Sequence, residues 1–173
     1  MRYTILAVLM ILAAAFSRLL PHPLNFTPIA AMALAGGVYL DKRFALIIPI
    51  AAMLITDWFL GYHQILFFVY GSFITIGLIG IWLRSHKRPL PVIGATLLSS
   101  VLFFVVTNFG VWIIGPEMYP RTWTGLVECY VAAIPFFRNT LFGDLVYTGV
   151  LFGVFELVSY FVKRPSMVSQ LSA

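Results

Sequence analysis

Charge is what this 173-residue sequence has least of. Asp, Glu, Lys and Arg make up 10% of it, against 61% hydrophobic residues. A soluble domain carries roughly 25% charged residues, so this composition does not cover a water-facing surface. Cysteine is nearly absent too. Cys129 stands alone, which excludes an intrachain disulfide and a thiolate-built metal cluster. There is no self-similar period of the length that marks solenoids or propellers, and no low-complexity tract. No nucleophile–base pair and no spacing such as His-Glu-x-x-His stands out, so the expectation is a protein that is not an enzyme and needs no cofactor.

What is present is a set of long apolar runs. Crossing the roughly 30 Å hydrocarbon core takes about 20 helical residues. Ile65–Leu83 and Val92–Pro116 carry no charge at all. Read along the chain, the pattern predicts an all-α, single integral membrane domain over residues 1–173, a bundle of about six transmembrane helices at about 3–20, 28–40, 44–61, 65–83, 91–114 and 139–162. A separate short interfacial helix is expected over about 124–137, with Pro135 near its end. At Thr27-Pro28 the Thr caps and the Pro fits a first helical turn. The N-terminus allows two readings. Arg2, an apolar run and Ala13-Ala14-Ala15 fit a cleavable signal peptide. The preferred reading is a first span, because the rest of the chain requires membrane insertion in any case.

The formal net charge of +5 would suggest nucleic acid in a soluble protein. Here the basic residues sit at the ends of apolar runs and act as topology signals, so no nucleic-acid partner is expected. With the N-terminus inside, Arg2, Lys42, Arg43, Arg84, Lys87, Arg88, Lys163 and Arg164 lie on the inner side, and Arg18, Arg121 and Arg138 on the outer. The positive-inside rule then puts both termini in the cytoplasm. Trp58, Trp82, Trp112 and Trp123 fall near predicted span ends, as interfacial aromatics do.

Span two is short for a membrane crossing, so its N-terminus is expected to start below the outer surface with the Pro-rich link Pro21–Thr27 behind it. Such backbone is tolerated only when buried in protein or lining a cavity. A packed link and a flap over a pocket are both open readings. Ionisable and amide side chains within spans are costly and call for a reason. Arg18, Asp57, Asn108 and Asp144 come from four spans and fall at one level in the outer half. An ion pair of Arg18 with Asp57 or Asp144 that ties helices together is one explanation; the wall of a ligand pocket is the other. His63 and His22 lie in outer turns, where a polar loop role and a ligand contact both stand. Cys129 reads as a small buried hydrophobe. In the outer connection Arg138 and Asn139 join the candidates for a lid, with an interfacial belt as the alternative. Glu156, near the inner end of span six, is placed to snorkel, to pair, or to meet a partner.

The stretches Asn25–Gly37, Asp57-Trp58-Phe59-Leu60-Gly61, Phe103–Trp112 and Pro135–Asp144 resemble the substrate-binding (S) components of ECF-type transporters, and look closest to a bacterial branch of small six-span proteins with that fold. The resemblance spans about half the chain. It implies a protein of the bacterial cytoplasmic (inner) membrane that captures a vitamin-like small-molecule substrate at the outer face. It further implies toppling to release the cargo, and an energy-coupling membrane subunit with ATPases as partner. The implied site comprises Arg18, Asn25, Asp57, His63, Asn108, Trp112, Arg138, Asn139 and Asp144, with no metal. One departure concerns coupling. The small-residue stripe on span one reads Ala7, Ile11, Ala15, and Ile11 interrupts the groove that lets helices approach closely. A solitary or differently coupled transporter is therefore also open. The competing function is a non-transporting scaffold or assembly protein of the bacterial envelope, which calls for a filled interior.

Overall fold

The computed structural model describes residues 2–21, 23–62, 64–115 and 117–163, with nothing said of the side chains of Arg2, Tyr3, Val162 and Lys163. The fold is all-helical. Six helices run in chain order: α1 Arg2–Ser17, α2 Ile29–Tyr39, α3 Ile47–Leu60, α4 Leu66–Leu83, α5 Pro89–Ile114 and α6 Trp123–Lys163. Among the described residues, three segments are long and apolar enough to cross a membrane: Leu66–Leu83, Pro89–Ile114 and Trp123–Phe161. The other three helices are apolar but shorter, at 16, 11 and 14 residues. At about 1.5 Å per residue they fall short of a full crossing. Their predicted spans shrink because Arg18–Leu20, Asp41–Leu46 and Gly61 leave helical geometry as turns and coil.

Helix α2 is the centre. Its sequence, Ile-Ala-Ala-Met-Ala-Leu-Ala-Gly-Gly-Val-Tyr, is apolar on every face, as a helix without a solvent side must be. Every residue from Ile29 to Val38 is buried, and α2 touches all five other helices. Its small residues set how closely the neighbours come. A Cβ on Gly37 would lie 2.5 Å from the carbonyl oxygen of Gly77, and one on Gly80 would lie 2.6 Å from that of Leu34. Gly77 and Gly80, one turn apart on α4, therefore bring the two backbones into contact, the close approach that small residues permit in lipid.

A helix buried all round has no water to satisfy its terminal N–H and C=O groups. Other helices satisfy those of α2. Thr27 makes no side-chain cap: Pro28 occupies the N-cap position, without a side-chain hydrogen bond. The Asp144 carboxylate, from α6, accepts from the Ala30 N–H instead. At the other end the Arg84 guanidinium donates to the carbonyl of Gly37 (2.7 Å from Nη2) and to that of Leu40. A carboxyl oxygen at the N-terminus and a cation at the C-terminus both complement the helix dipole.

The predicted interfacial helix over 124–137 does not stand apart. One continuous helix runs from Trp123 to Lys163 with Pro135 inside it. Pro135 removes one backbone hydrogen bond. Contacts on both sides of it hold the helix against α5. Phe104 packs on Tyr130 (5.6 Å between centroids) and on Phe137 (4.6 Å), and Tyr130 donates to the Val105 carbonyl at 2.7 Å. The small-residue stripe of α1 faces inward: Ala7, Ile11 and Ala15 are buried in the chain's own core.

Gly80→Val should lower stability by about 1–3 kcal/mol, the cost of overpacking a tight contact. Gly71→Ala, where an added Cβ meets nothing within 4 Å, should be neutral or mildly stabilising. Thermal unfolding of both variants in detergent checks this; a Gly80→Val protein as stable as wild type would show that the α2–α4 approach is not tight.

Candidate functional site

Two polar systems lie in the interior. The first is built around Arg18, just past the end of α1. Its Nη2 forms a salt bridge with Asp57 Oδ1 at 2.9 Å, and its Nη1 donates to Thr56 Oγ1 at 2.6 Å and lies 2.9 Å from the Met53 sulfur. Asp57 Oδ2 accepts from the Tyr70 hydroxyl at 2.8 Å. Arg18 is 9% exposed and Asp57 2%. Removal from water costs each ion several kcal/mol, and the pair is sustained only because further hydrogen bonds fill the remaining sites. One site is not filled. The buried Nε of Arg18 has no hydrogen-bond partner among the described residues.

The second system is Asp144, roughly halfway along α6 and 2% exposed. Besides the Ala30 N–H it accepts from Ser100 Oγ at 2.7 Å. Ser99 and Ser100 on α5 are fully buried and bond back to carbonyls one turn earlier, at Ala95 and Thr96, which satisfies their hydroxyls within the helix.

Between the two systems lies a cavity of about 340 Å³. Arg18 and Asp144 are both on its walls. So are the first residues of α2, Ile29 and Ala30, and the side chains of Asn25, Thr27, Thr107, Asn108 and Thr140. Phe103, Phe104, Phe136 and Phe137 supply much of the apolar surface. Asn25 is itself exposed, which places the mouth of the cavity at the α1–α2 link. Its φ of 61° is left-handed, a conformation Asn tolerates better than most residues. The link runs close to α6, where a Cβ on Gly143 would stand 3.3 Å from the backbone of Phe26 and of Thr27.

The predicted site residues divide accordingly. Arg18, Asn25, Asn108 and Asp144 meet at the cavity. Asp57 does not line it; it stands behind Arg18 and holds that side chain in place. Trp112 points its indole N–H to the Pro120 carbonyl at 3.0 Å and Asn139 donates to the Leu24 carbonyl at 2.9 Å, so both fix loops and neither lines the cavity. Arg138 is exposed and off the cavity wall. His63 and His22 lie outside the described residues. Cys129 is buried, its sulfur 3.5 Å from the Asn108 carbonyl oxygen. Sequence reasoning missed Thr27, Thr107, Thr140 and the four phenylalanines. Uncharged side chains carry no burial penalty that flags them in a span, although the Thr107-Asn108 pair in an apolar run was a usable signal.

Arg18→Leu should destabilise by about 3–5 kcal/mol, because it strands the Asp57 carboxylate in the interior. Arg18→Leu with Asp57→Leu should cost clearly less than the sum of the two single changes. A double-mutant cycle on thermal or denaturant unfolding measures this; additive costs would mean the two side chains are not coupled.

The sequence matches, over residues 1–167, the family described as "Family of unknown function (DUF6580)", and the chain belongs to that family. No curated protein and no solved structure matches it.

Proposed function

We propose that this member of the DUF6580 family is a membrane transport protein that captures a small, vitamin-like molecule at the outer face of the bacterial inner membrane. The observation that carries the reading is the cavity. At about 340 Å³ it falls in the size range of small-molecule sites. It is mostly apolar with a few convergent polar groups, Arg18, Asn25, Asn108 and Asp144 among them. A scaffold needs no such hollow.

In this reading α1, α2 and α3 cross the membrane together with the three longer helices, making six passes with both termini cytoplasmic. Of the short helices α2 is enclosed by its neighbours, while α1 and α3 pack on α2 and on each other and present apolar side chains such as Leu9, Ile47 and Phe59 outward, as a lipid-facing surface does. The bias of basic residues to one side supports the orientation. The likeness of the Asn25–Gly37 and Pro135–Asp144 stretches to ECF-type S components supports capture as the activity, since residues of both stretches line the cavity. An energy-coupling membrane subunit with ATPases is the partner that likeness suggests. The inward-facing stripe of α1 is used in the core, so docking of such a subunit falls to another surface.

Two measurements test the proposal. A thermal-shift screen of vitamin-sized compounds should yield at least one stabiliser, worth about 2.7 kcal/mol at a hundredfold excess over Kd. Ala133→Phe, which fills the cavity without touching a charged group, should abolish that shift. A wild type that no compound stabilises, or a filled variant that responds equally, would refute capture in this cavity. For topology, a cysteine at Ser85 in a Cys129→Ser background should react with an impermeant thiol reagent only from the cytoplasmic side. Labelling from outside would reverse the orientation.

A further inference from the structure

At the opposite, basic end of the bundle a second hollow opens between α5 and α6. It measures about 320 Å³ and its walls are almost wholly apolar, with Val92 and Ile93 on one side and Leu145 and Phe152 on the other. Its floor is open because of two glycines. Gly149 and Gly153 lie four residues apart on α6, and a Cβ on either would meet nothing within 4 Å. The hollow is thus an elongated apolar cleft along the helix pair. Lys87 and Arg88 line the same cleft, where the loop enters α5. Neither forms an ion pair with a carboxylate among the described residues. Glu156 also lines the cleft, and its carboxylate accepts from the Tyr39 hydroxyl at 3.0 Å. The Lys87 ammonium is held over the Tyr39 ring, 5.1 Å from its centroid, and that ring stacks on Phe155. Lys87 is therefore positioned at the cleft by an aromatic face and not by a direct ion pair, and with Arg88 it outweighs the single carboxylate of Glu156.

We propose that this cleft is a binding site for an anionic phospholipid, with one acyl chain along Gly149 and Gly153 and the phosphodiester against Lys87 and Arg88. An interhelical groove with basic residues at its mouth has the chemistry that headgroup phosphates select. A small-residue pair on a flat face would favour a second helix. Here the glycines lie at the bottom of a cleft between Ile93 and Phe152, and the charges at its end match a phosphate. The inference does not depend on the outer cavity holding a ligand.

The test uses the full chain purified in detergent, with native mass spectrometry against phosphatidylglycerol and phosphatidylcholine of equal chain length. Two basic side chains offset by the Glu156 carboxylate predict about a fivefold preference for the anionic lipid. K87Q/R88Q should remove the preference, and K42Q/R43Q, at the same end but off the cleft, should keep it. G149L/G153L should fill the cleft and weaken both lipids while thermal unfolding without lipid stays unchanged. Glycerol phosphate, the headgroup alone, should not compete. Equal binding of the two lipids would overturn the proposal. So would an equal loss in both glutamine pairs, or glycerol phosphate competing as well as the lipid. A leucine pair that turns a dimer into a monomer would give the cleft to a second copy of the chain instead.

Discussion

The structure is organised by a helix that no solvent reaches. Because α2 is enclosed by the other five helices, its unpaired terminal amides and carbonyls are satisfied from those neighbours, each such group costing several kcal/mol if left bare in an apolar medium. Asp144 answers one end and Arg84 the other. One is a carboxyl and the other a guanidinium, both come from distant sequence, and each complements the helix dipole. The close α2–α4 contact permitted by Gly37, Gly77 and Gly80 fixes where those ends lie. The cavity follows from the same constraint. An 11-residue helix in the middle of a bundle leaves space beyond its first turn, and the α1–α2 link, α4, α5 and α6 enclose that space without filling it.

The charges on the two walls of that space serve different ends. Asp144 has structural work, with Ser100 and the Ala30 N–H as partners. Arg18 is held by Asp57, Thr56 and Met53 through its two terminal nitrogens, which leaves Nε as its one unsatisfied polar atom. The guanidinium is thus fixed in place by its own neighbours, with little side-chain freedom left. Asp57 contributes to the cavity through this positioning, with the Tyr70 hydroxyl orienting its second oxygen.

Much of this was legible in the sequence, and the reasons for the misses are physical. Long uncharged runs identified α4 and α5 almost to the residue, because apolar length is a direct signal of a buried or spanning helix. The shortness of α2 and the polar level formed by Arg18, Asn108 and Asp144 were also readable, since burying such groups is costly enough to need a cause. Helix lengths before and after α2 were not, because the turns at Arg18–Leu20 and Asp41–Leu46 contain apolar residues that look like helix. Pro135 was misread as a terminus. Its missing hydrogen bond is a local penalty, and the outcome was set by Tyr130 and Phe137 gripping Phe104, a tertiary contact that no local pattern encodes. Arg84 carried a similar ambiguity: as a loop cation it reads as a topology signal, and only the fold shows it turned inward onto Gly37 and Leu40.

Helix α6 joins the two ends of the molecule. Ala133, Thr140 and Asp144 face the outer cavity, and Leu145, Gly149 and Gly153 face the basic cleft, so the two linings meet between adjacent residues of one helix. A packed helix moves as a unit and not by continuous deformation. Any shift of α6 that widens one hollow therefore alters the other. Two bonds resist such a shift, those from Ser100 and the Ala30 N–H to Asp144, and both sit at the boundary between the linings. The opposing force comes from Pro135, where the missing backbone bond leaves the outer segment of α6 less tightly tied to the remainder. The segment of α6 that precedes Pro135 is thus the less restrained one, and the segment that carries Phe137, Thr140 and Asp144 on the cavity wall is fixed at Phe104 and at Ser100.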